Sequence, residues 1–323
     1  MKRLLLGIDV GTSGCKAVLV TESGEVAARC SAEYPIHSPR PLWTEQDPED
    51  WWRAASTVVA GALEQASAAG SSVAAVGLTG QMHGMVLLDA SGRVLRPCIM
   101  WNDQRTAAEC AEITARVGAD RVIQLTGNPV LPGFTASKLA WTRRNEPEVF
   151  SRAARVLLPK DYLRYRLTGE FITEPSDASG TAFFDISRLE WSPEMLEAAE
   201  IPAAWLPRLD PSPAAGSSVS AEAAAACGLL QGTPVVGGGG DQAAQAVGMG
   251  IVDEGCVSVS MGTSAVLFAP SDACRIEPGG KVHTFCHAVP GKWALLGVVL
   301  SAGGSLRWHR DTLCDSERQE AAS

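Results

Sequence analysis

The chain opens with an apolar run from Leu4 to Val10, a Gly11-Thr12-Ser13 turn and a second apolar run from Ala17 to Val20. Glu22-Ser23-Gly24 turns the chain again and Glu25 to Tyr34 predicts a third strand, so the opening reads as a β-meander. A proline-rich surface loop from Pro35 to Pro48 leads into a helix with Asp47 at its cap, Pro48 in its first turn, and Glu49 and Asp50 behind it. That helix runs towards Gly70. Val73 to Leu78 predicts a short buried strand, with Thr79-Gly80-Gln81-Met82-His83-Gly84 as the turn at its carboxyl end. Met85 to Asp89 and Val94 to Trp101 predict a hairpin around Ser91-Gly92. Asp103 to Val117 has helical spacing, and further helices extend to about residue 170.

Pro202 to Ser218, rich in Pro, Ala and Ser, predicts a surface connection. Ala221 to Leu230 predicts a small-residue helix, and Pro234 to Val236 a buried strand that runs into Gly237-Gly238-Gly239-Gly240-Asp241. A second small-residue helix follows from Gln242 to Val247. The strand–turn–strand of the opening then recurs: Val257 to Met261, Gly262-Thr263-Ser264, and Ala265 to Phe268. A strand from Trp293 to Leu300 and a helix from Ser301 to Leu313 complete the pattern. Strands alternating with helices indicate an α/β protein. A boundary near residues 250–256 divides it into residues 1–252 and 253–323. The second unit is expected to be an incomplete start, because Cys314 to Ser323 is polar and carries no stop signal of a finished domain.

Composition narrows the field. With 323 residues, 46% hydrophobic and 20% charged, the chain can bury a full core. A net charge of −9 argues against nucleic-acid or anionic-membrane partners. Nine scattered cysteines without paired spacing predict reduced thiols in a cytoplasmic protein. Lys2-Arg3-Leu4-Leu5-Leu6 resembles the start of a signal peptide, but Asp9 interrupts the apolar stretch and no cleavage pattern follows.

Several residues carry candidate chemistry. A Gly-Thr-Ser turn between strands offers backbone N–H groups and hydroxyls to an anion, with Lys16 adding charge nearby, or it is a plain turn. Asp9, at the end of the preceding strand, suits Mg²⁺, which prefers a carboxylate or two plus phosphate oxygens. No P-loop and no Rossmann fingerprint occurs. Asp241 follows four glycines at a strand end, where it either accepts a hydroxyl proton or caps a helix. The glycines favour the first reading, since a cap alone does not need them. Gln81, Met82 and His83 can offer an amide, an apolar wall and an imidazole to a polyol. His283-Thr284-Phe285-Cys286-His287 lacks a second cluster at metal-ligand spacing. Trp43, Trp51, Trp52, Trp101 and Trp141 read as packing residues.

Leu6-Gly7-Ile8-Asp9-Val10-Gly11-Thr12-Ser13, Gly80-Gln81-Met82-His83-Gly84, Gly133 to Trp141, Leu158-Pro159-Lys160-Asp161-Tyr162-Leu163 and Gly238-Gly239-Gly240-Asp241-Gln242 together resemble the FGGY carbohydrate kinases. The resemblance runs along nearly all of residues 4–313. It implies an α/β fold of the actin/Hsp70-like (ribonuclease H-like) kind, with a complete first domain, the start of a second, and the active site in the cleft between them. It also implies ATP-dependent phosphorylation of D-xylulose to D-xylulose 5-phosphate. Gln81-Met82-His83-Gly84 points to the members acting on D-xylulose rather than on glycerol or gluconate.

Carried over by position, Asp241 is the general base, and Met82 and His83 contact the sugar with Gln81 and Gln242. Gly11, Thr12, Ser13 and Lys16 line the phosphate site from one side and Gly262 and Thr263 from the other, while Asp9 serves Mg²⁺. The partners implied are the sugar and ATP, with a homodimer as the candidate assembly. Gln242 stands where Asn is usual, Thr142 where an apolar residue is usual, and the family's later adenine-binding elements are absent. The alternatives are therefore a catalytically inactive sugar-binding chain or a kinase for a related ketose or polyol. An actin/Hsp70-type ATPase acting on proteins would leave Gln81, Met82, His83 and Asp241 without a task.

Overall fold

The computed structural model describes residues 3–314; Lys2 and the polar ending beyond Cys314 lie outside the described residues. The meander forms as expected: β1 (Leu4–Val10), β2 (Gly14–Thr21) and β3 (Val26–Glu33) pair antiparallel in sequence order. Along β1 buried Leu4, Leu6, Ile8 and Val10 alternate with more exposed positions, the period-2 signature of a strand with one face on the core. Helix α1 (Pro48–Gln65) starts where its cap predicts, the Asp47 carboxylate accepting from the Glu49 N–H. Its face of Trp51, Ala55, Val58, Val59 and Ala62 packs against the sheet.

Strand β4 (Val73–Gly80) inserts parallel to β1, and β5 (Pro234–Val235) and β6 (Gly239–Gly240) both pair parallel to β4. With the edge strand Ser217–Ser218 this makes a seven-stranded mixed sheet. Of the helices that follow, α2 (Thr135–Asn145) packs in a separate core, α3 (Pro159–Thr168) packs beside α1 with Tyr162 against Trp51, α4 (Pro175–Ala178) lies against β6, and α5 (Asp241–Gly248) leaves directly from β6. A second sheet is wholly antiparallel, in the order β7 (Ser258–Met261), β8 (Ala265–Ser271), β10 (Trp293–Val299), β9 (His283–Cys286), and is followed by α6 (Gly303–Leu313). Phe268, Phe285, Ala294 and Leu296 from this sheet share one core with Phe134, Leu139 and Met85. The α/β expectation holds, and among the described residues no helix is long and apolar enough to cross a membrane.

Three local expectations change. The hairpin around Ser91-Gly92 is reduced to single bridges, Leu88 to Val94 and Met85 to Ile99. Its first arm instead pairs with Arg155–Leu157 and its second with Glu45–Gln46, because Val86, Leu87 and Leu88 are fully buried and are covered on both sides by distant chain. The helix expected from Asp103 begins at Ala107, since Asp103 is engaged by Arg105 and the Thr44 N–H. Strand β9 is additional to the sequence pattern.

Candidate active site

Register places the candidate residues together. Asp9 on β1 and Gly239 on β6 both lie opposite Thr79 of β4, and Gly240 lies opposite Gly80. Asp9, the Gln81-Met82-His83 turn and Asp241 therefore emerge side by side at the carboxyl ends of parallel strands, the edge where α/β sheets meet ligands. Gly238 makes this possible: its φ is +81°, and a Cβ there would collide with the Leu78 carbonyl.

His83 sits in an unusual backbone conformation for a non-glycine residue, φ +67°. Several contacts hold it there. Its Nδ1 lies 2.7 Å from the Gly180 carbonyl, and its ring stacks on Phe134 with centroids 4.6 Å apart. Its own carbonyl accepts from Lys138 Nζ at 2.9 Å and from Thr135 Oγ1 at 3.1 Å, both on α2. The ring reaches Gly180 only because that residue lacks a side chain; a Cβ would strike the imidazole. Burial pushes the His83 pKa down to about 3 and the Lys138 pKa down to about 7. The imidazole is thus neutral. A carbonyl can only accept, so Nδ1 carries the proton and Nε2 is left as an acceptor. Met82, buried, covers Gly240 from above.

Asp241 is the first residue of α5, while Gly240 takes the cap position. Its Oδ1 accepts only the neighbouring Gln242 N–H, at 2.8 Å, so it is not the helix cap. Burial raises its pKa to about 7; the Gln242 hydrogen bond opposes the rise and the negative charge of Asp9 adds to it. Behind it the Gly240 N–H donates to Ser176 Oγ at 3.1 Å, which donates to Glu174 Oε1 at 2.8 Å. Lys160, fully buried, is 2.5 Å from Asp161, 3.6 Å from Asp177 and 3.8 Å from Glu174. The Lys160-Asp161 pair of the sequence is therefore a buried brace for the strand end that presents Asp241.

Two cavities lie at this edge. The first, about 360 Å³, is lined by Met82, His83, Asp241 and Gln242, by Thr12 and Trp101, and by Phe134. Its opposite wall comes from the second sheet, including Ser264, Val266, His283 and Phe285. The second, about 650 Å³, is lined by Asp9, Lys16, Thr79, Gly238 and Gly239. Asp9 Oδ1 is buried without a hydrogen-bond partner, and burial raises the Asp9 pKa, partly offset by Lys16.

Other expected residues lie further out. The Gln81 side chain is buried away from both cavities and donates to Gln46 Oε1 at 2.9 Å. Gln46 in turn donates to the Thr12 carbonyl at 2.7 Å, so Gln81 steadies the first Gly-Thr-Ser turn from beneath. Gly11 and Ser13 flank Thr12 without lining either cavity; Tyr34 Oη donates to the Gly11 carbonyl, and Ser13 is exposed. Gly262 and Thr263 are exposed and lie apart from the cavities, their carbonyls accepting from Gly303, Ala302 and Gly304 at the start of α6. Only Ser264 of that turn reaches the first cavity. The sequence reading missed Phe134, Gln104, His283 and Phe285 as cavity residues, and it assigned Trp101 to packing although its Nε1 donates to Thr12 Oγ1 at 3.1 Å beside the cavity. His287 turns elsewhere, its Nε2 3.2 Å from the Ile251 carbonyl. Among the described residues no group of three or more His, Cys, Asp or Glu side chains could hold a metal ion.

An α/β sheet presenting paired carboxylates and a neutral histidine beside two cavities defines a small-molecule site. The chain belongs to the FGGY family of carbohydrate kinases, whose N-terminal domain matches residues 4–248. It is 48% identical over 305 residues to the xylulose kinase of Escherichia coli (strain K12), which covers 94% of this chain and 62% of the relative. Two crystal structures superimpose closely. One is a xyloylose kinase from Brucella ovis, with TM-score 0.90, 44% identity, and 96% of this chain and 63% of that one covered. The other is the xylulose kinase from Rhodospirillum rubrum, with TM-score 0.92, 33% identity, and 99% and 66% covered. The chain has the sugar-kinase fold of these proteins and spans a little under two thirds of the length of the curated relatives it matches.

Proposed function

We propose that the protein transfers the γ-phosphoryl group of ATP to the 5-hydroxyl of D-xylulose, giving D-xylulose 5-phosphate and ADP. The observation that carries this is Asp241: a carboxyl with its pKa raised to about 7, uncapped, opening onto a cavity shared with Met82 and His83. The sugar occupies the first cavity, with Met82 as its apolar wall and His83 Nε2 and Gln242 as hydrogen-bond partners. Asp241 accepts the hydroxyl proton as the oxygen attacks the γ-phosphorus; the new O–P bond forms while the bond to the β–γ bridging oxygen breaks. Thr12 and Lys16, flanked by Gly11 and Ser13, serve the phosphates from one side, while Gly262 and Thr263, turned towards α6 and apart from both cavities, take no part in this reading. A base with a pKa near the working pH balances availability against driving force. The resemblance to xylulose kinases supports the choice of sugar.

Asp9 fits a magnesium ion, because its buried Oδ1 lacks any partner and Mg²⁺ needs only one or two carboxylates beside phosphate oxygens. When bound, the ion neutralises charge on the phosphates. A division into residues 1–252 and 253–323 belongs to the same reading, supported by a family match that ends at residue 248 and by the separate second sheet. So do a cytoplasmic location, supported by nine free cysteines, and a homodimer, supported by exposed apolar side chains on β7 and α6.

A coupled assay of ADP release tests the reading. ADP release that depends on D-xylulose and is lost in Asp241→Asn is the expected result. D-xylulose binding without ADP release identifies a sugar-binding chain instead, and absence of both overturns the assignment.

A further inference from the structure

The first cavity has two histidines, and the function described above uses one. His283 stands on β9 opposite Leu296 of β10, two residues from Phe285, so the pleat sends both rings to the same face of the second sheet. Their rings stack at 5.8 Å, and Phe134 lies within 6.2 Å of each; His83, 4.6 Å from Phe134 and 6.0 Å from Phe285, belongs to the same aromatic cluster.

The protonation of His283 follows from its neighbour. His283 Nδ1 lies 2.7 Å from Asn128 Oδ1. The orientation of that amide is set by its other end, because Asn128 Nδ2 donates to the carbonyls of Thr126 and Thr284, each at 2.9 Å. Oδ1 therefore can only accept, Nδ1 of His283 carries the proton, and Nε2 is a bare acceptor. Burial lowers the His283 pKa, so the ring stays neutral, as His83 does. Among the described residues neither Nε2 has a hydrogen-bond partner, and neither is one of the buried polar atoms that lack one. Both open onto the cavity that their rings line.

We propose that His283 is a second sugar-reading residue, whose Nε2 accepts a hydroxyl hydrogen of the bound polyol from the second sheet, across the Phe134–Phe285 cluster from His83. This rests on the sugar site proposed above. Two fixed acceptors lining one cavity require two donors at matching positions on one ligand. A polyol lacking either hydroxyl leaves one imidazole nitrogen buried and unpaired, which discriminates more strongly than apolar contact does.

The test combines two measurements on the full chain with D-xylulose as probe. ¹⁵N NMR of the histidine side chains reports each tautomer directly, and the His283 Nε2 resonance should move upfield when D-xylulose is added. Calorimetry should show about tenfold weaker D-xylulose binding in His283→Phe, which keeps the aromatic stack and removes the acceptor. If the wild type binds D-xylulose while the Nε2 resonance stays still, or while His283→Phe binds equally well, the inference is overturned and the sugar site stands. If the wild type binds no D-xylulose, both fall together. The NMR measurement needs no variant and so survives misfolding of His283→Phe.

Discussion

Asp9 adds to the burial that raises the pKa of Asp241, acting from across the carboxyl end of β4, to which β1 and β6 are both paired. Because the base must be ionised to accept a proton, turnover should rise with pH through about 7. In Asp9→Asn that opposing charge is gone, and the acidic limb of the kcat/KM profile should move to lower pH even as the rate falls. A limb that stays in place would separate the two carboxylates electrostatically.

Stability carries the same signature. The folded state holds the Asp241 proton more tightly than the unfolded chain does, from a reference of 3.8 to about 7. Its ionisation therefore costs nothing below pH 3.8, accrues a cost as pH rises, and reaches a plateau above 7. Asp241→Asn should stabilise the fold by about 1–3 kcal/mol at pH 8, discounted for the side chain's partial access to the cavity, with the gain fading towards pH 4. Urea melts at the two pH values measure it. An equal effect at both would assign the change to packing.

Gly180→Ala should act on the sugar without touching it. The new methyl meets His83 Nδ1, so the imidazole must leave its carbonyl partner and its place over Phe134. We expect about tenfold weaker D-xylulose binding and a stability loss of about 1–3 kcal/mol. Calorimetry and thermal melts would read the two, and unchanged affinity would mean that the ring position is immaterial.

The edge of the second sheet should drive association. Val259 and Met261 on β7 are 60% and 74% exposed, and Leu306 and Trp308 on α6 are 72% and 62% exposed. An edge strand with apolar side chains offers both backbone and surface to another copy. Sedimentation should show concentration-dependent self-association that Val259→Lys with Met261→Lys reduces. A monodisperse wild-type monomer at high concentration would refute it.

The parts of the site set by local grammar were legible in the sequence. Strand–turn units, the Asp47 cap and the strand end at Asp241 each declare themselves through neighbours in the chain. What depends on distant chain was not. Gln81 looked like a sugar ligand, yet Gln46, far away in sequence, takes its amide. Trp101 looked like packing until Thr12 gave its indole a partner. His283 is identified by Asn128, 155 positions earlier, and no local pattern encodes that pairing. Gly262-Thr263 repeats the first turn in sequence but faces α6.

The first cavity is walled by two segments of chain with unequal duties. Asp241 and His83 sit at the strand ends, anchored through β4, α2 and the Lys160 brace, where almost any change would disturb the chemistry. Ser264, Val266 and His283 hang from the second sheet and touch none of that scaffold's hydrogen bonds. The second-sheet wall can therefore be changed without touching the anchored strand ends. A library confined to Ser264, Val266 and His283 is the most direct way to change which ligand the cavity holds while leaving Asp241 and its supports in place.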